Sequence, residues 1–144
     1  MVGVGTGGKV SIFSPAGSTD VVADVNGWFT DITPGGTGSW FTPLTPARIL
    51  DSRLGTGGVS LPWGPNAGRA VGVAGLGGVP AMSDPNPPTS VVANGTVTKT
   101  TTAGALTPRP DTPATPAPAA PSPSGIRWPS ASARSSSSDA WTLA

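Results

Sequence analysis

Thr19-Asp-Val-Val-Ala-Asp-Val-Asn-Gly-Trp-Phe29 alternates: Val21, Ala23 and Val25 fall on one face, and Asp20, Asp24 and Asn26 on the other. A period of two with the polar residues confined to one face predicts a half-buried antiparallel strand. A helix would repeat its apolar positions every three to four residues. Upstream, Lys9 to Ser14 alternates more weakly, with Val10 and Ile12 on one face and Ser11 and Phe13 on the other. Pro15-Ala16-Gly17-Ser18 between them is a turn cluster, so the two runs read together as a hairpin. A lone hairpin is marginal in water, and this one needs a partner sheet.

Downstream, Thr33-Pro-Gly-Gly-Thr-Gly-Ser39 has the composition of a flexible linker. Trp-Phe-Thr stands on both sides of it, at Trp28 to Thr30 and at Trp40 to Thr42, as expected for aromatic anchors at sheet ends. Pro43 and Pro46 keep the next segment extended, because a residue before proline avoids the helical region. Ala47 to Arg53 reads as a short strand or a single turn. Arg48, Asp51 and Arg53 lie close enough to share ion pairs. The expectation is a structural corner in which Asp51 accepts hydrogen bonds from arginine or backbone N–H, in preference to a ligand contact.

Gly55 to Gly58 turns the chain, and Val59 to Leu61 reads as a short strand. Pro62-Trp63-Gly64-Pro65 is a rigid loop presenting an aromatic. Arg69 to Ala74 alternates again through Val71 and Val73, and Leu76-Gly-Gly-Val-Pro80 is another turn. Pro85 to Pro88 reads as a polyproline-like crossing, and Ser90 to Thr98, rich in Val and Thr, as the last strand. Residues 107–144 hold eight Pro and only four large apolar residues, Ile126, Trp128, Trp141 and Leu143. Such a segment buries too little apolar surface to offset its ordering entropy, and it is expected to be a disordered Pro/Ala/Ser-rich tail.

Composition narrows the functions. Gly (21) and Pro (18) exceed a quarter of the 144 residues, which marks a loop-rich chain. The formal charge is +1, which argues against a basic nucleic-acid surface. No His, Cys, Tyr, Glu or Gln is present. The usual zinc sites and the Ser-His-Asp and Cys-His mechanisms therefore cannot be built within the chain, and a disulfide scaffold is excluded. No cofactor is expected. No apolar run is long enough to span a membrane, and Met1 to Lys9 lacks the charged and apolar regions of a signal peptide.

Several motifs match chemistry in form only. Gly3-Val-Gly-Thr-Gly-Gly8 fits G-x-G-x-x-G, yet a phosphate loop needs a strand before it and a helix after it, and here a strand follows. Asp24-Val-Asn-Gly27 is part of a calcium-loop pattern without its closing Glu. Asn94-Gly-Thr96 has the form of a glycosylation acceptor but falls within a strand. Five Trp without a Tyr admit sugar stacking, with Trp28, Trp40 and Trp63 as the candidate ligand-binding residues. The competing reading makes them core anchors in a sheet with few large side chains.

Phe41-Thr-Pro-Leu-Thr-Pro-Ala-Arg-Ile-Leu-Asp-Ser-Arg-Leu-Gly-Thr-Gly57 resembles the opening of a repeat common in secreted surface proteins of actinobacteria, built on a "TPARLLDTR-GTG" pattern. The repeat's "G-GGVP" turn is matched by Gly75-Leu-Gly-Gly-Val-Pro80, and its next strand pair by Val91 to Thr107. Its closing "GGKVSIYN-AGSTDVIADVAGYF" is similar to Gly7 to Phe29. The resemblance implies the end of one repeat (1–32, a hairpin), a Gly-rich linker (33–39) and the beginning of the next repeat (40–106). It also implies an extracellular or cell-surface location and a non-catalytic structural or adhesive role, with cell-wall polysaccharide or neighbouring repeats as partners. The alternative is a carbohydrate-binding accessory module of a cell-wall hydrolase or peptidase. From about residue 108 the pattern gives way to Pro/Ala/Ser/Arg sequence, as GC-rich coding DNA gives when read out of frame, so a frameshifted or truncated terminus is expected there. The predicted fold is all-β: an incomplete antiparallel sandwich in which the N-terminal hairpin takes the place of missing closing strands, in a circularly permuted sense.

Overall fold

Wherever apolar and polar residues alternate in this chain, the backbone is extended. The computed structural model describes residues 1–31 and 38–112 in full, and the backbone of 126–128 and 139–142. Its strands are β1 (Val2–Gly3), β2 (Lys9–Ser14), β3 (Asp20–Asp31), β4 (Ser39–Asp51), β5 (Ala67–Gly72), β6 (Ser90–Thr98), β7 (Gly104–Pro110), β8 (Ile126–Trp128) and β9 (Asp139–Thr142). A single 3-10 turn, Thr6–Gly8, precedes β2.

All pairings are antiparallel, and they build two sheets. One runs β1-β6-β3-β4, with β9 also on β6; the other runs β5-β2-β7-β8. The sheets form a sandwich. Val10, Ile12, Val71 and Leu106 from one face Val21, Ala23, Val25, Leu50, Val91 and Val97 from the other, all buried. Valine predominates, Trp63 is the largest fully buried side chain among the described residues, and the filling is imperfect. A cavity of about 40 Å³ lies between the sheets, lined by apolar residues including Val10, Val21, Ala23, Val71, Ala93 and Gly95. A space of that size and lining stays dry and is too small for an organic ligand.

The expected hairpin of β2 and β3 does not form. β2 pairs with β5 and β7, whereas β3 pairs with β4 and β6, so Pro15 to Ser18 carries the chain from one sheet to the other. A turn cluster has the same composition whether the chain folds back within a sheet or crosses between two. The hairpin in the structure is β3–β4, whose register runs from Asp31↔Ser39 to Val22↔Asp51. Residues 1–31 thereby supply one of the two inner strands of each sheet, and the strands paired with these come from residues 39–110.

Four other expectations change. Ala47 to Asp51 is the end of the 13-residue β4, which accommodates Pro43 and Pro46 because it is an edge strand and needs no donors on its open side. Val59 to Leu61 is not a strand. The tail boundary at 107 moves outward, since Phe13↔Thr107 to Val10↔Pro110 are ladder partners and the Asp111 N–H donates to the Lys9 carbonyl (3.2 Å). Ser39 already belongs to β4, and the rest of the linker reading lies outside the described residues except Gly38. Disorder and frameshift concern residues 113–144, outside the described residues apart from the backbones of β8 and β9.

The Gly75–Pro80 turn packs on the inner face of the β3–β4 ribbon. At Gly77 φ is +59°, and a Cβ there would meet Val25 at 2.8 Å and Ala47 and Ile49 at 3.1 Å. Only glycine fits that position on both counts.

Candidate functional site

The charged cluster begins with a register shift. Opposite the step from Ala23 to Asp24, β4 goes from Leu50 to Arg48, leaving Ile49 as the extra residue. In a regular strand, residues three apart point to opposite faces; the shift brings Arg48 and Asp51 onto the same outer face, beside Asp24. Arg48 then makes a bidentate pair with Asp24, Nε to Oδ1 at 2.9 Å and Nη2 to Oδ2 at 3.3 Å. Its Nη1 donates to Asp51 Oδ2 at 3.3 Å.

Asp51 is fully buried, with no exposed side-chain surface (0%), and its carboxylate is saturated. Oδ1 accepts from the Arg53 backbone N–H (3.1 Å) and from Arg53 Nε (2.9 Å), and Oδ2 from Arg53 Nη2 (2.7 Å). These bonds to Arg53 hold the carboxyl down at about 2, against the opposing effect of burial. Both arginines are pushed above their usual range, Arg53 by its bonds to Asp51 and Arg48 chiefly by its bond to Asp24. Ser52, between them in sequence, closes the other side. Its Oγ accepts from the Val21 N–H (3.0 Å) and donates to Asp20 Oδ1 (2.9 Å), and its N–H donates to the Val21 carbonyl (3.0 Å). Lys99 Nζ approaches Asp20 Oδ2 at 3.6 Å.

The structure thus brings Arg48, Asp51 and Arg53 together, and adds Asp24, Asp20 and Ser52. Asp24 reads as a calcium-loop residue in the sequence, and only the strand register shows that its carboxylate is held by Arg48. Asp51 is held by arginine on both oxygens and Asp24 by the bidentate pair, so the charges of the cluster are paired within it. Among the described residues, no group of three acids could hold a metal ion.

The three candidate tryptophans separate. Trp63 is fully buried (0% exposed). Its backbone exchanges hydrogen bonds with Thr19 (2.8 and 3.0 Å), and its indole Nε1 donates to the Ile12 carbonyl at 2.9 Å. The Arg69 guanidinium lies 4.8 Å over the ring, anchored by bonds to the Leu61 and Pro62 carbonyls. Trp63 therefore ties β2 of one sheet to the start of β3 in the other, and is withdrawn from the ligand-binding set. Trp28 is half-buried against the core. Trp40 is 63% exposed. By register it shares a face with Trp28, since Thr30↔Trp40 and Trp28↔Thr42 are partners on neighbouring same-face positions. Phe41, 47% exposed, lies on the opposite face, with its ring 5.0 Å from that of Phe29 and over Gly27, where a Cβ would meet it at 2.4 Å.

The remaining motifs have structural explanations. Gly3 to Gly8 runs from β1 through the 3-10 turn into β2, with no helix to receive a phosphate. Asn94 lies within the ladder, in register with Asp24 on one side and Thr142 on the other, which is not the exposed loop a glycosylation acceptor occupies. No helix among the described residues is long and apolar enough to cross a membrane. No protein-family model matches the chain, and no curated protein or solved structure matches it.

Proposed function

We propose that the chain is a non-catalytic structural or adhesive module of a secreted or cell-surface protein, of the kind its resemblance to the actinobacterial repeat implies. One observation carries the reading. Among the residues that carry that resemblance, Arg48 and Ser52 bond across to Asp24, Asp20 and Val21 of β3, and Arg53 holds Asp51 at the turn that follows β4. A motif spent on joining the segment 1–31 to the segment 39–53 is a signature of architecture, and its chemistry is internal. The test is to label intact producing cells and their medium with antibody against the chain. Signal on the surface or in the medium is expected; signal confined to the soluble interior of lysed cells overturns the proposal.

A second reading, binding of cell-wall polysaccharide, is favoured by Trp40, whose exposed indole shares a face with half-buried Trp28. An indole face packs on the apolar side of a pyranose ring. Co-sedimentation with purified cell wall discriminates the two readings. Retention that disappears in Trp40→Ala supports a carbohydrate site, and equal sedimentation of both proteins removes it.

A further inference from the structure

The segment 1–31 makes its ladder bonds outside itself. β1 pairs with β6, β2 with β5 and β7, and β3 with β4 and β6; β2 and β3, neighbours in sequence, share no ladder. Among the described residues, eight of the 19 buried hydrophobic residues belong to it: Val2, Val10, Ile12, Phe13, Val21, Val22, Ala23 and Val25. Removing it would take an inner strand from each sheet and leave β4 to β7 with no ladder among themselves, so it is an insert laid between the strands of its frame, residues 39–110. The covalent tie between insert and frame is the single connection of residues 32–38. We propose that this insert is exchangeable: residues 1–31 of one copy fill the frame of a second copy, giving a two-fold dimer in which both sandwiches are complete.

The ladder, core and corner contacts are the same whether the insert comes from the same chain or from another. Only the connection and the entropy of association differ. In the monomer β4 pairs antiparallel with β3 of its own chain. In the exchanged dimer β4 of one copy pairs in the same register with β3 of the other. A short connection presents the insert to its own frame at an effective concentration in the millimolar range, so the monomer prevails in dilute solution. Exchange then follows from unfolding and refolding at high concentration, or from holding several copies close together. The dimer forms slowly from folded monomer, since inserting the inner strands requires the sandwich to open.

The test uses the full chain, which has no cysteine to interfere. Ser11 and Ala70 are ladder partners, one in the insert and one in the frame. In the double variant Ser11→Cys with Ala70→Cys, the disulfide lies within a chain when the insert is its own and between chains when it is exchanged. The protein is refolded at millimolar concentration, the dimer is isolated by size exclusion and oxidised, and a non-reducing denaturing gel is run. Covalent dimer as the main band is expected. A dimer fraction that runs as monomer, or refolding that yields no dimer, overturns the proposal. A second variant lacking residues 32–38 joins Asp31 directly to Ser39, leaving no residues to turn. It is expected to be dimeric at about ten micromolar, roughly a hundredfold below the millimolar range. A folded monomer from that variant overturns the exchange equally; should it fail to fold, the cysteine pair in the full chain decides.

Discussion

The two ends of the β3–β4 ribbon differ in what their side chains do. At the Asp20/Asp51 end the side chains of Asp20, Asp51, Ser52 and Arg53 are all bonded, Asp51 has no exposed surface, and Trp63 closes the end by bonding to both sheets. At the Asp31/Ser39 end Trp40 is 63% exposed and Phe41 47% exposed. Here the polar side-chain contacts are single bonds, Ser39 Oγ to Asp31 Oδ1 at 3.2 Å and Thr30 Oγ1 to the Pro87 carbonyl at 3.0 Å. One ribbon thus carries a closed end that fixes the sandwich and an open end that presents aromatic surface. Stability belongs to the first and any recognition to the second.

The sharpest way to break that contrast is Trp63→Ala. It removes the largest fully buried side chain among the described residues and its bond to Ile12, and should cost about 4 kcal/mol in denaturant unfolding. Asp51→Ala comes next. It leaves the Arg53 N–H and guanidinium without their acceptor and takes one of the three bonds of Arg48, for an expected loss of about 3 kcal/mol. Either variant unfolding at the same urea midpoint as the parent would deny the closed end its role.

The pH dependence of stability is a milder probe of the same end. Asp51 is held at about 2 in the folded protein against 3.8 when unperturbed. Above pH 4 it is ionised in both states, and the folded state keeps the full advantage of its arginine bonds, about 2 kcal/mol. As the pH falls from about 4 through 2 the folded carboxyl also takes up a proton and that advantage is lost. Asp51→Asn should flatten this part of the profile, and an unchanged acid slope would place the titration elsewhere.

Between the ends, Gly95→Ala should stabilise by about 1 kcal/mol, since it stiffens a strand and puts a methyl into the cavity that Gly95 lines. A lower melting temperature would mean the cavity is not open to that methyl. The smallest effect is expected at the open end. Trp40→Ala should move stability by less than about 0.5 kcal/mol, so a loss of cell-wall retention in that variant would report binding and not unfolding.

What the sequence reveals follows the range of each signal. β2 and β6 coincide residue for residue with the alternating runs Lys9 to Ser14 and Ser90 to Thr98, because alternation is local. Alternation misses β7 because Pro108 and Pro110 argue against a strand, although the resemblance implies a second strand within Val91 to Thr107. The prolines are tolerated where β8 ends, since β8 reaches only Gly104 to Leu106 and leaves their other side open. Which sheet each strand joins depends on partners scores of residues away, and no turn composition encodes it. The corner is legible in part. Asp51 and Arg53, two residues apart, can meet in a tight turn, whereas Arg48 with Asp51 needs the register shift at Ile49, and Asp24 with Arg48 needs the pairing of β3 and β4.

The central claim is that residues 1–31 provide an inner strand to each sheet of one cooperative sandwich. Native-state amide hydrogen exchange of the full chain tests it most directly. The amides of Val10, Ile12 and Val21 to Val25 that bond in the ladders should exchange in the slowest group, together with those of Val91 to Val97, at rates set by global unfolding. Exchange of β2 and β3 well ahead of β6 would contradict it, because the segment would then be an appendage to a sandwich that stands without it.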